Sequence, residues 1–356
     1  MDLKTIFNNK RVLVTGSSGF KGSWLCLWLK LLGAHVYGIS LLPDSEKGNY
    51  MLCDMESVIH NTYKDITSFS VKEDIERIDP EFVFHLAAQP LVLDAIKDPF
   101  LTYSTNVMGT VNLLESLRNL ENVKSIVVVT SDKCYRNTGS ILSEEGHLGG
   151  DDPYSASKAC AEMVAHSYYK TFFKQKGVGL ATARAGNVMG GGDRGKNRII
   201  VDCVEALENN RDIYIRNPGH IRPWQYVLDP LYGYMILAAK LSRDPEELSS
   251  AWNFGPQDNT SITAQNLAEM LIVNFTVSFG PTKTRINLDR RESITLEKSF
   301  LSIDSNKSKL ILGVSNIVGL HDMMKFTVED YFTKEYFYDQ RIDRILKYEE
   351  SLKNEM

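Results

Sequence analysis

The chain has 356 residues, enough for one large domain or two interleaved ones. Hydrophobic residues make up 43% and charged residues 24% of it, which is typical of a globular enzyme with a substantial core. The formal net charge of -5 argues against a nucleic-acid-binding protein, which usually carries a basic surplus, but a few local cations could still bind a small anionic ligand.

Cysteine usage and hydropathy indicate where the protein functions. The five cysteines are scattered and form no CxxC pair, which favours a reducing compartment without disulfides or a thiolate zinc site. The N-terminal MDLKTIFNNK lacks the apolar core of a signal peptide, and no run approaches the ~20 apolar residues of a membrane span. The seven histidines show no metal-ligand spacing. We therefore expect a cytoplasmic protein with no metal ion and no membrane partner.

Short β-branched runs alternate with helical patterns through the first half of the chain. The predicted strands are RVLVT (11–15), HVYGIS (35–40), FVFHLA (82–87), SIVVVT (125–130) and GLATARA (179–185). The predicted helices are SWLCLWLKLLG (23–33) and segments near 71–78, 102–119 and 154–173. This alternation predicts an α/β fold with a doubly wound, Rossmann-like parallel sheet.

The regular alternation weakens after residue 186. GNVMGGGDRGKNR (186–198) is predicted to be a loop, DPLYGYMILAAKL (229–241) a helix and AWNFG (251–255) a short strand, and the chain ends in a very polar tail near 341–356. We therefore expect a smaller substrate-binding domain interleaved with the sheet domain. The predicted division is 1–188 with a return segment at about 223–254 for the sheet domain, and 189–222 with 255–345 for the substrate domain.

A glycine-rich turn, TGSSGFKG, joins the first strand to the first helix. Gly16, Gly19 and Gly22 would allow a tight turn, close approach of the backbone to a pyrophosphate, and close helix–strand packing. A glycine triplet alone is weak evidence for dinucleotide binding. This one follows a strand and opens an amphipathic helix, which is the structural context in which such a triplet binds a dinucleotide.

The GxxGxxG spacing with Phe20 resembles TGxxGFxG of the extended short-chain dehydrogenase/reductase superfamily, which implies NAD or NADP as cofactor. The second strand ends in Ser40, with an acidic residue only at Asp44 and no arginine, so NAD is favoured. The resemblance also implies cofactor contacts further along the chain. They are Asp65 and Ile66 at the adenine, Asp65 serving equally well as a turn residue, and Ala87, Ala88 and Gln89 near the nicotinamide ribose.

YSASK places Tyr154 and Lys158 four residues apart, hence on one face of a helix. A phenol has a pKa of about 10 and is a poor base at neutral pH, but a nearby ammonium and a nicotinamide cation would lower that pKa. Tyr154 could then take a proton from a sugar hydroxyl. In the superfamily both residues also contact the cofactor.

TSDKCY follows the predicted strand SIVVV directly, where a parallel sheet binds its ligands. We expect Thr130 to hydrogen-bond the reacting hydroxyl alongside Tyr154. Asp132 and Lys133 are further acid/base groups that simple dehydrogenation does not need. They favour elimination after oxidation.

Further strings narrow the resemblance. AAQPLV, NVMGT, GGDDPYSASKA, RAGNVMGGGD, RNPGHIRPWQYVLDPL and WNFGP, spread over roughly residues 10–256, resemble the CDP-glucose 4,6-dehydratase family. The resemblance implies oxidation of C4 by NAD, loss of water across C5–C6 and return of hydride to C6, giving a 4-keto-6-deoxy sugar for deoxysugar biosynthesis. It also implies that Asp132 protonates the leaving hydroxyl and that Lys133 acts at C5.

The same resemblance implies contacts with the nucleotide sugar from Asn187, Arg198 and Arg222, the arginines at the diphosphate. Asn106 is expected to belong to the substrate-binding site by supporting it through the helix backbone. The resemblance also implies a homodimer joined through the helices near 102–119 and 154–173.

Several positions depart from the family pattern and leave the nucleotide and the sugar open. They are Ser17, Leu93, Ala95 with Ile96, the short segment 136–148, and Arg194. The alternatives are a dehydratase, epimerase or C4 dehydrogenase acting on another nucleotide sugar, for example a GDP-linked or heptose one. A non-catalytic cofactor-sensing protein is a further class, which the catalytic residues disfavour.

Overall fold

The computed structural model describes residues 1–136, 139–256, 261–288, 302–333 and 335–355. Its strands are β1 Arg11–Thr15, β2 His35–Ser40, β3 His60–Tyr63, β4 Phe82–His85, β5 Ser125–Val129, β6 Gly179–Ala185, β7 Asn187–Met189, β8 Ile213–Ile215, β9 Ile221–Tyr226, β10 Ala251–Phe254, β11 Ser261–Thr263 and β12 Ile286–Leu288.

The α-helices are α1 Leu3–Phe7, α2 Phe20–Leu31, α3 Asn49–Leu52, α4 Met55–Val58, α5 Val71–Ile78, α6 Val92–Lys97, α7 Pro99–Tyr103, α8 Gly109–Leu117, α9 Pro153–Tyr168, α10 Ile199–Glu208, α11 Leu228–Leu241, α12 Pro245–Leu248, α13 Ala264–Phe279, α14 Leu320–Phe332 and α15 Phe337–Glu355. Single π-helical turns occupy Ser104–Met108, Tyr169–Phe173 and Ser308–Leu312, and 3₁₀ turns occupy Asp132–Cys134 and Lys174–Lys176.

Seven strands form one parallel sheet in the order β10-β6-β5-β4-β1-β2-β3. The strand order reverses between β1 and β4, where Thr15 lies opposite His85. The predicted doubly wound α/β fold is therefore confirmed, and β3 is a strand that the sequence analysis missed. The carboxyl ends of β1, β4 and β5 meet at one edge, which is where such a sheet binds ligands.

The sheet is buried on both faces because its side chains alternate between two apolar clusters. Val12 and Val14 pack in a large cluster with Trp24 and Trp28 of α2, whereas Leu13 packs in a second cluster. The second cluster also contains apolar residues of α5, of α8 and of the C-terminal part of α9. Burial on both faces explains why the strands are continuous apolar runs rather than alternating ones.

Two predicted long helices are interrupted. The helix expected near 102–119 consists of α7, a π-helical turn and α8, and the helix expected near 154–173 is α9 followed by a π-helical turn. At the start of α8, a Cβ on Gly109 would lie 2.6 Å from Ile66, so the close approach depends on glycine. α2 begins at Phe20 rather than Ser23 because Gly19 already occupies its N-cap position.

Two small sheets lie outside the main one. β9 pairs with β7 in parallel and with β11 in antiparallel, and β12 pairs with β8. The predicted loop 186–198 therefore contains a strand, β7. The domain division stays a prediction; residues 257–260, 289–301 and 334 of the predicted substrate domain, and residues 137 and 138 of the segment 136–148, lie outside the described residues.

The predicted polar tail is a 19-residue helix, α15. Arg341, Ile345 and Tyr348 form a buried stripe at helical spacing, so the polar composition conceals a packed face. Across the described ranges, no helix is long and apolar enough to cross a membrane.

Candidate active site

A cavity of about 760 Å³ lies beside the carboxyl ends of β5 and β6. Residues 130–133, which follow β5, and residues 185–190, which begin at the end of β6, form part of its wall. The structure brings eight of the predicted site residues to this one cavity: Phe20, Thr130, Asp132, Lys133, Tyr154, Asn187, Arg198 and Arg222.

Tyr154 lies in the first turn of α9, which Asp152 caps by accepting from the Ser155 backbone N–H. The phenol is 8% exposed, and burial raises its pKa, opposed by a hydrogen bond with Ser131 and by the charge of Lys133. The ammonium of Lys158 donates to the Val129 carbonyl at 3.2 Å, and burial lowers its pKa to about 8. The expected lowering of the Tyr154 pKa by Lys158 is therefore not found; Ser131 and Lys133 act on the phenol instead.

The two hydroxyls after β5 have different partners. Thr130 donates to the carboxylate of Glu162, which forms a buried ion pair with Arg184 at 2.8 Å. Ser131 donates to Asp132 Oδ1 at 3.0 Å and is the hydrogen-bond neighbour of Tyr154. Ser131, and not Thr130 as expected, is therefore the hydroxyl beside the phenol of Tyr154, because the extended backbone turns consecutive side chains to opposite sides.

Asp132 is 2% exposed, and its Oδ2 has no hydrogen-bond partner among the residues that the structure describes. Burial raises the pKa of this carboxyl, opposed by the charges of Lys133 and Arg222 and by the Ser131 hydrogen bond. A buried carboxyl with one unpartnered oxygen can carry a proton and donate it to a ligand in the cavity. Lys133 acts electrostatically on both Asp132 and Tyr154, so the three groups share one part of the cavity.

The glycine turn has the geometry that a dinucleotide requires. Gly16 has φ +71°, and a Cβ there would lie 2.7 Å from the Ala87 nitrogen, while a Cβ on Gly22 would lie 2.0 Å from the Gly16 carbonyl oxygen. Gly19 at the N-cap of α2 supplies no side-chain acceptor, so no side chain caps the first N–H groups of the helix. These N–H groups and the close backbone approach fit a pyrophosphate.

A buried polar relay fixes the connection after β4. Thr15 Oγ1 lies 2.6 Å from Nδ1 of His85, whose Nε2 lies 3.1 Å from Thr110 Oγ1, and the Ala87 N–H donates to Thr15. Burial lowers the pKa of His85 to about 3, so its imidazole is neutral. Because Thr110 donates to the Asn106 carbonyl, His85 donates from Nε2 and accepts at Nδ1.

Asn106 and Gln89 support this connection from inside the protein. Asn106 is 2% exposed; its amide accepts from the Gln89 N–H and donates to the Gln89 carbonyl and to Ser157. The Gln89 side chain folds back onto Leu91 and Thr102. Asn106 therefore holds the Gln89 backbone in place and does not line the cavity, and both backbone groups of Gln89 are hydrogen-bonded to it.

The predicted adenosine contacts have partners within the protein. Ser40 is 4% exposed and accepts from the Asn61 amide, whose oxygen accepts from Ser17 at 2.6 Å. Asp65 accepts from the Thr67 backbone and hydroxyl, both at 2.8 Å, so it serves as a turn residue and leaves one oxygen for a ligand. Ile66 packs against Gly109.

The outer part of the cavity is cationic although the chain is acidic. Arg198 pairs with Asp193 at 2.6 Å, and Arg222 is 7% exposed. Asn187, at the start of β7, lines the same cavity. The charged lining comprises six cations against three carboxylates, namely Lys21, Lys133, Lys196, Arg198, Arg216 and Arg222 against Asp132, Asp193 and Asp202. Such a lining suits a ligand with two phosphates.

Of the positions that depart from the family pattern, Leu93 and Ile96 line the cavity, whereas Arg194 pairs with Glu208 at 2.8 Å and stacks on Tyr331. Three site residues escaped the sequence analysis: Ser131, Lys21 and His85. Ser131 was one position from the expected hydroxyl, and Lys21 was visible in the string GFKG, but nothing in the sequence indicated the relay through His85.

Comparisons with known proteins identify the family and the fold. The model of the GDP-mannose 4,6-dehydratase family matches residues 13–327. The CDP-glucose 4,6-dehydratase of Salmonella typhimurium (strain LT2) is 43% identical over 318 residues, which are 87% of this chain and 87% of that protein. The epimerase Mth375 of Methanothermobacter thermautotrophicus has the same fold, with a TM-score of 0.80 and 22% identity over 94% of this chain and 95% of that one. A double mutant of dTDP-glucose 4,6-dehydratase from Streptomyces venezuelae, solved with NAD bound, has a TM-score of 0.74 and 22% identity over 91% and 97% of the two chains.

Proposed function

The chain belongs to the GDP-mannose 4,6-dehydratase family, and we propose on that premise that it is an NAD-dependent nucleotide-sugar 4,6-dehydratase. Its substrate is CDP-glucose, which it converts to the 4-keto-6-deoxy derivative. The substrate assignment is supported by the 43% identity to the Salmonella protein of that name and by the cationic cavity.

NAD is the cofactor that the turn at Gly16, Gly19 and Gly22 fits. The backbone of this turn and the start of α2 would bind the pyrophosphate, and the segment after β4, at Ala87 to Gln89, would border the nicotinamide ribose. When bound, NAD supplies a reversible oxidation, accepting hydride from C4 of the hexose and returning it to C6. Lys158, whose amine donates to the Val129 carbonyl at the carboxyl end of β5, would contact the bound cofactor.

Oxidation at C4 needs a base for the hydroxyl proton, and Tyr154 takes that role. Its pKa is raised by burial, so the phenol must pass its own proton on as it accepts the new one. Ser131, which is hydrogen-bonded to both Tyr154 and Asp132, provides the path. The reaction at C4 therefore runs through a phenol, a hydroxyl and a carboxyl in sequence.

Elimination of water needs a base at C5 and an acid at C6. The C4 ketone acidifies the C5 proton, and the amine of Lys133, in its neutral form, removes it. Asp132 donates a proton from its unpartnered Oδ2 to the C6 hydroxyl. The protonated hydroxyl then leaves as water. When hydride is returned to C6, C5 needs a proton, and the ammonium of Lys133 gives back the one that it removed. The sugar therefore loses one water in total, and its overall oxidation state is unchanged.

The observation that carries this proposal is the unpartnered carboxyl oxygen of Asp132, which shares a cavity with Tyr154 and Lys133. An epimerase or a simple dehydrogenase has no need for a second buried acid beside the tyrosine.

A panel of CDP-, GDP-, UDP- and dTDP-linked hexoses, incubated with the enzyme and NAD and followed by mass spectrometry, tests the proposal. We expect loss of one water from CDP-glucose. An unchanged mass with a new sugar configuration would indicate an epimerase, and loss of two hydrogens with release of NADH a dehydrogenase; either result would contradict the proposal.

We also propose a homodimer formed through α7, its π-helical turn and α9. Phe100 is 83%, Met108 57% and Met163 56% exposed in this region, more apolar surface than a monomer usually leaves in contact with water. Met163→Glu should give a monomer by analytical ultracentrifugation, with Lys97→Glu on the neighbouring exposed surface as the control. A wild-type monomer would contradict this part of the proposal.

A cytoplasmic location is proposed on the ground that all five cysteines are unpaired. Cell fractionation tests it, and recovery from an oxidising compartment would contradict it.

A further inference from the structure

Lys21 lines the cavity in a position where the protein itself gives its ammonium little support. The residue is the second of α2, after Phe20, and is partly buried. Its ammonium lies 5.8 Å from the ring centre of Tyr234, and no described carboxylate forms an ion pair with it. The Tyr234 ring is fully buried, whereas Lys21 lines the cavity. The cation–π contact with this ring therefore leaves the Lys21 ammonium available to a ligand in the cavity.

The electrostatic surroundings of Lys21 disfavour a cation. The N-terminus of α2 carries partial positive charge. Burial and the charges of Lys158 and Arg198 lower the pKa of Lys21 to about 7, opposed by the more weakly acting Asp132 and Asp193. A neutral side chain at this position would make the folded protein more stable than an unpaired ammonium does. The presence of a lysine therefore indicates that the site binds an anion.

We propose that Lys21 is a substrate-binding residue whose ammonium, together with Arg198, binds a phosphate oxygen of the nucleotide sugar's diphosphate. The inference rests on the proposed function and adds to it a further contact for the diphosphate, beside Arg198 and Arg222. Arg198 is partly neutralised by its ion pair with Asp193, so a further cation strengthens the binding of a diphosphate with two negative charges.

The pyrophosphate of the cofactor is the other anionic group that the Lys21 ammonium could bind. The backbone N–H groups of the glycine turn already serve that pyrophosphate, because no side chain caps them. Three of the four charged groups that act on Lys21 line the cavity itself: Asp132 after β5, Asp193 in the glycine-rich loop and Arg198 before α10. These neighbours favour the substrate's diphosphate over the cofactor's.

The assignment has a consequence for pH. Binding of a diphosphate requires the ammonium form of Lys21, and that form is lost from the free enzyme as the pH rises through about 7. Anion binding raises the pKa of the amine, so the affinity for the nucleotide sugar should fall above neutral pH by at most about tenfold per pH unit.

The test measures binding of CDP-glucose by calorimetry at saturating NAD, in a Tyr154→Phe background that does not turn it over. The phosphodiester charges of this ligand do not titrate near neutral pH, so its own protonation does not interfere. In that background Lys21→Met should weaken binding about tenfold to a hundredfold at about pH 6.5, as expected for loss of a charge-assisted hydrogen bond. It should also remove the fall in affinity between about pH 7 and about pH 9.

Two further variants are controls. Lys21→Arg keeps a charge that does not titrate and should bind CDP-glucose with an affinity independent of pH over this range. Lys30→Met, on the exposed end of the same helix, should leave binding unchanged. The Lys21→Met protein should be at least as stable to heat as its parent, which excludes misfolding as the cause of weak binding.

The outcomes distinguish the substrate's diphosphate from the cofactor's pyrophosphate, and they distinguish failure of this inference from failure of the proposed function. If Lys21→Met weakens binding of NAD instead of CDP-glucose, or weakens neither, the inference is overturned and the proposed dehydratase activity stands. If the unsubstituted enzyme binds and converts none of the nucleotide sugars in the panel, the proposed function itself fails and the inference fails with it.

Discussion

The hydroxyl groups of Thr130 and Ser131, which follow β5, have different hydrogen-bond partners. Thr130 completes the hydrogen bonds of Glu162, which also accepts from Thr182 and Arg184 in a buried network behind the site. Ser131 connects the phenol of Tyr154 to the carboxyl of Asp132. The first hydroxyl therefore belongs to a structural network, and the second is the one to which we assign a part in the proposed reaction.

The matched variants Ser131→Ala and Thr130→Val test this division. Ser131→Ala should lower kcat about 10-fold to 100-fold with little change in unfolding temperature, because a proton path is lost from an intact site. Thr130→Val should lower the free energy of unfolding by about 1–3 kcal/mol, since it leaves a buried carboxylate short of a donor, and should have the smaller effect on kcat. The reverse pattern would return the catalytic role to Thr130.

Lys133→Ala separates oxidation from elimination. Without the amine at C5, oxidation at C4 should proceed and dehydration should stall, so reduced cofactor should accumulate to about one equivalent per site and be visible by its fluorescence. Lys133→Arg is the control for charge, because a guanidinium cannot act as a base at neutral pH. Dehydration at the normal rate in both variants would exclude Lys133 as the base.

At this scale the sequence predicted which segments form the site but not which atoms face the ligand. Tyr154, Asp132 and Lys133 were identified because strand and helix patterns place them at one sheet edge. The direction of the Tyr154 pKa shift and the choice between Thr130 and Ser131 depend on burial and on one-residue alternation, which a motif does not specify.

At the scale of secondary-structure elements, Asp229 links two helices. It lies in the first turn of α11, is 2% exposed, and its Oδ1 accepts from the Ile317 backbone and from Tyr348 of α15, while Oδ2 has no partner. Burial raises its pKa to about 7, opposed by these hydrogen bonds. The folded protein therefore holds a proton on Asp229 that the unfolded chain releases above about pH 4.

The sign of the pH effect follows from this difference. Between about pH 4 and about pH 7 the folded state binds more protons at Asp229 than the unfolded state, so this group lowers stability progressively as the pH rises. Asp229→Asn should match the wild type near pH 4 and exceed it by about 1–3 kcal/mol at pH 8 in urea unfolding. A variant less stable than the wild type at pH 8 would show that the carboxylate is needed.

Most strands of the main sheet were predicted closely, whereas the interruptions of two long helices were not. β1, β2, β5, β6 and β10 lie within a residue of their predicted bounds, because an apolar run between turn signals marks a buried strand clearly. The π-helical turns at Ser104–Met108 and Tyr169–Phe173 left no such mark, since the helical pattern of apolar residues continues through them. The first of these turns contains Asn106, so the interruption also serves the site.

At the scale of the whole molecule, the C-terminal helices α14 and α15 support the loop Gly191–Asp193, which borders the cavity through Asp193. Asp330 of α14 and Arg341 of α15 form a fully buried ion pair at 3.1 Å, and Asp330 also accepts from Tyr226 and from the Gly191 backbone. A Cβ on Gly191 would lie 2.3 Å from Asp330, and Tyr331 donates to the Asp193 carbonyl at 2.7 Å. The loop that carries Asp193, the partner of Arg198, is therefore fixed by residues beyond the family match, which ends at residue 327.

Arg341→Met should have two effects. It leaves the carboxylate of Asp330 buried without its cation and should lower the free energy of unfolding by about 3–5 kcal/mol. Because the Gly191–Asp193 loop loses its support, KM for CDP-glucose should rise more than KM for NAD. Lys347→Met, on the exposed side of α15, is the control.

Tyr331→Phe is the milder test of the same link if Arg341→Met does not fold. It removes a single hydrogen bond to the Asp193 carbonyl and should raise KM for CDP-glucose with kcat nearly unchanged. An unchanged KM in a folded variant would show that the C-terminal helices only stabilise the protein.

This role of the C-terminus could not be predicted from the sequence. The segment 341–356 is polar in composition, and its buried stripe contains arginines, which are normally expected at a surface. Burial of Arg341 depends on Asp330 and Asn49, two residues that only the tertiary structure brings to it.

The central claim is that Tyr154, Asp132 and Lys133 act on one sugar within one cavity, and CDP-glucose carrying deuterium at C4 tests it most directly. We expect the product to have lost one water and to carry the deuterium at C6, because the hydrogen removed in the oxidation is returned to the carbon from which the hydroxyl left. Deuterium retained at C4 or exchanged into solvent, or a product of unchanged mass, would contradict the account.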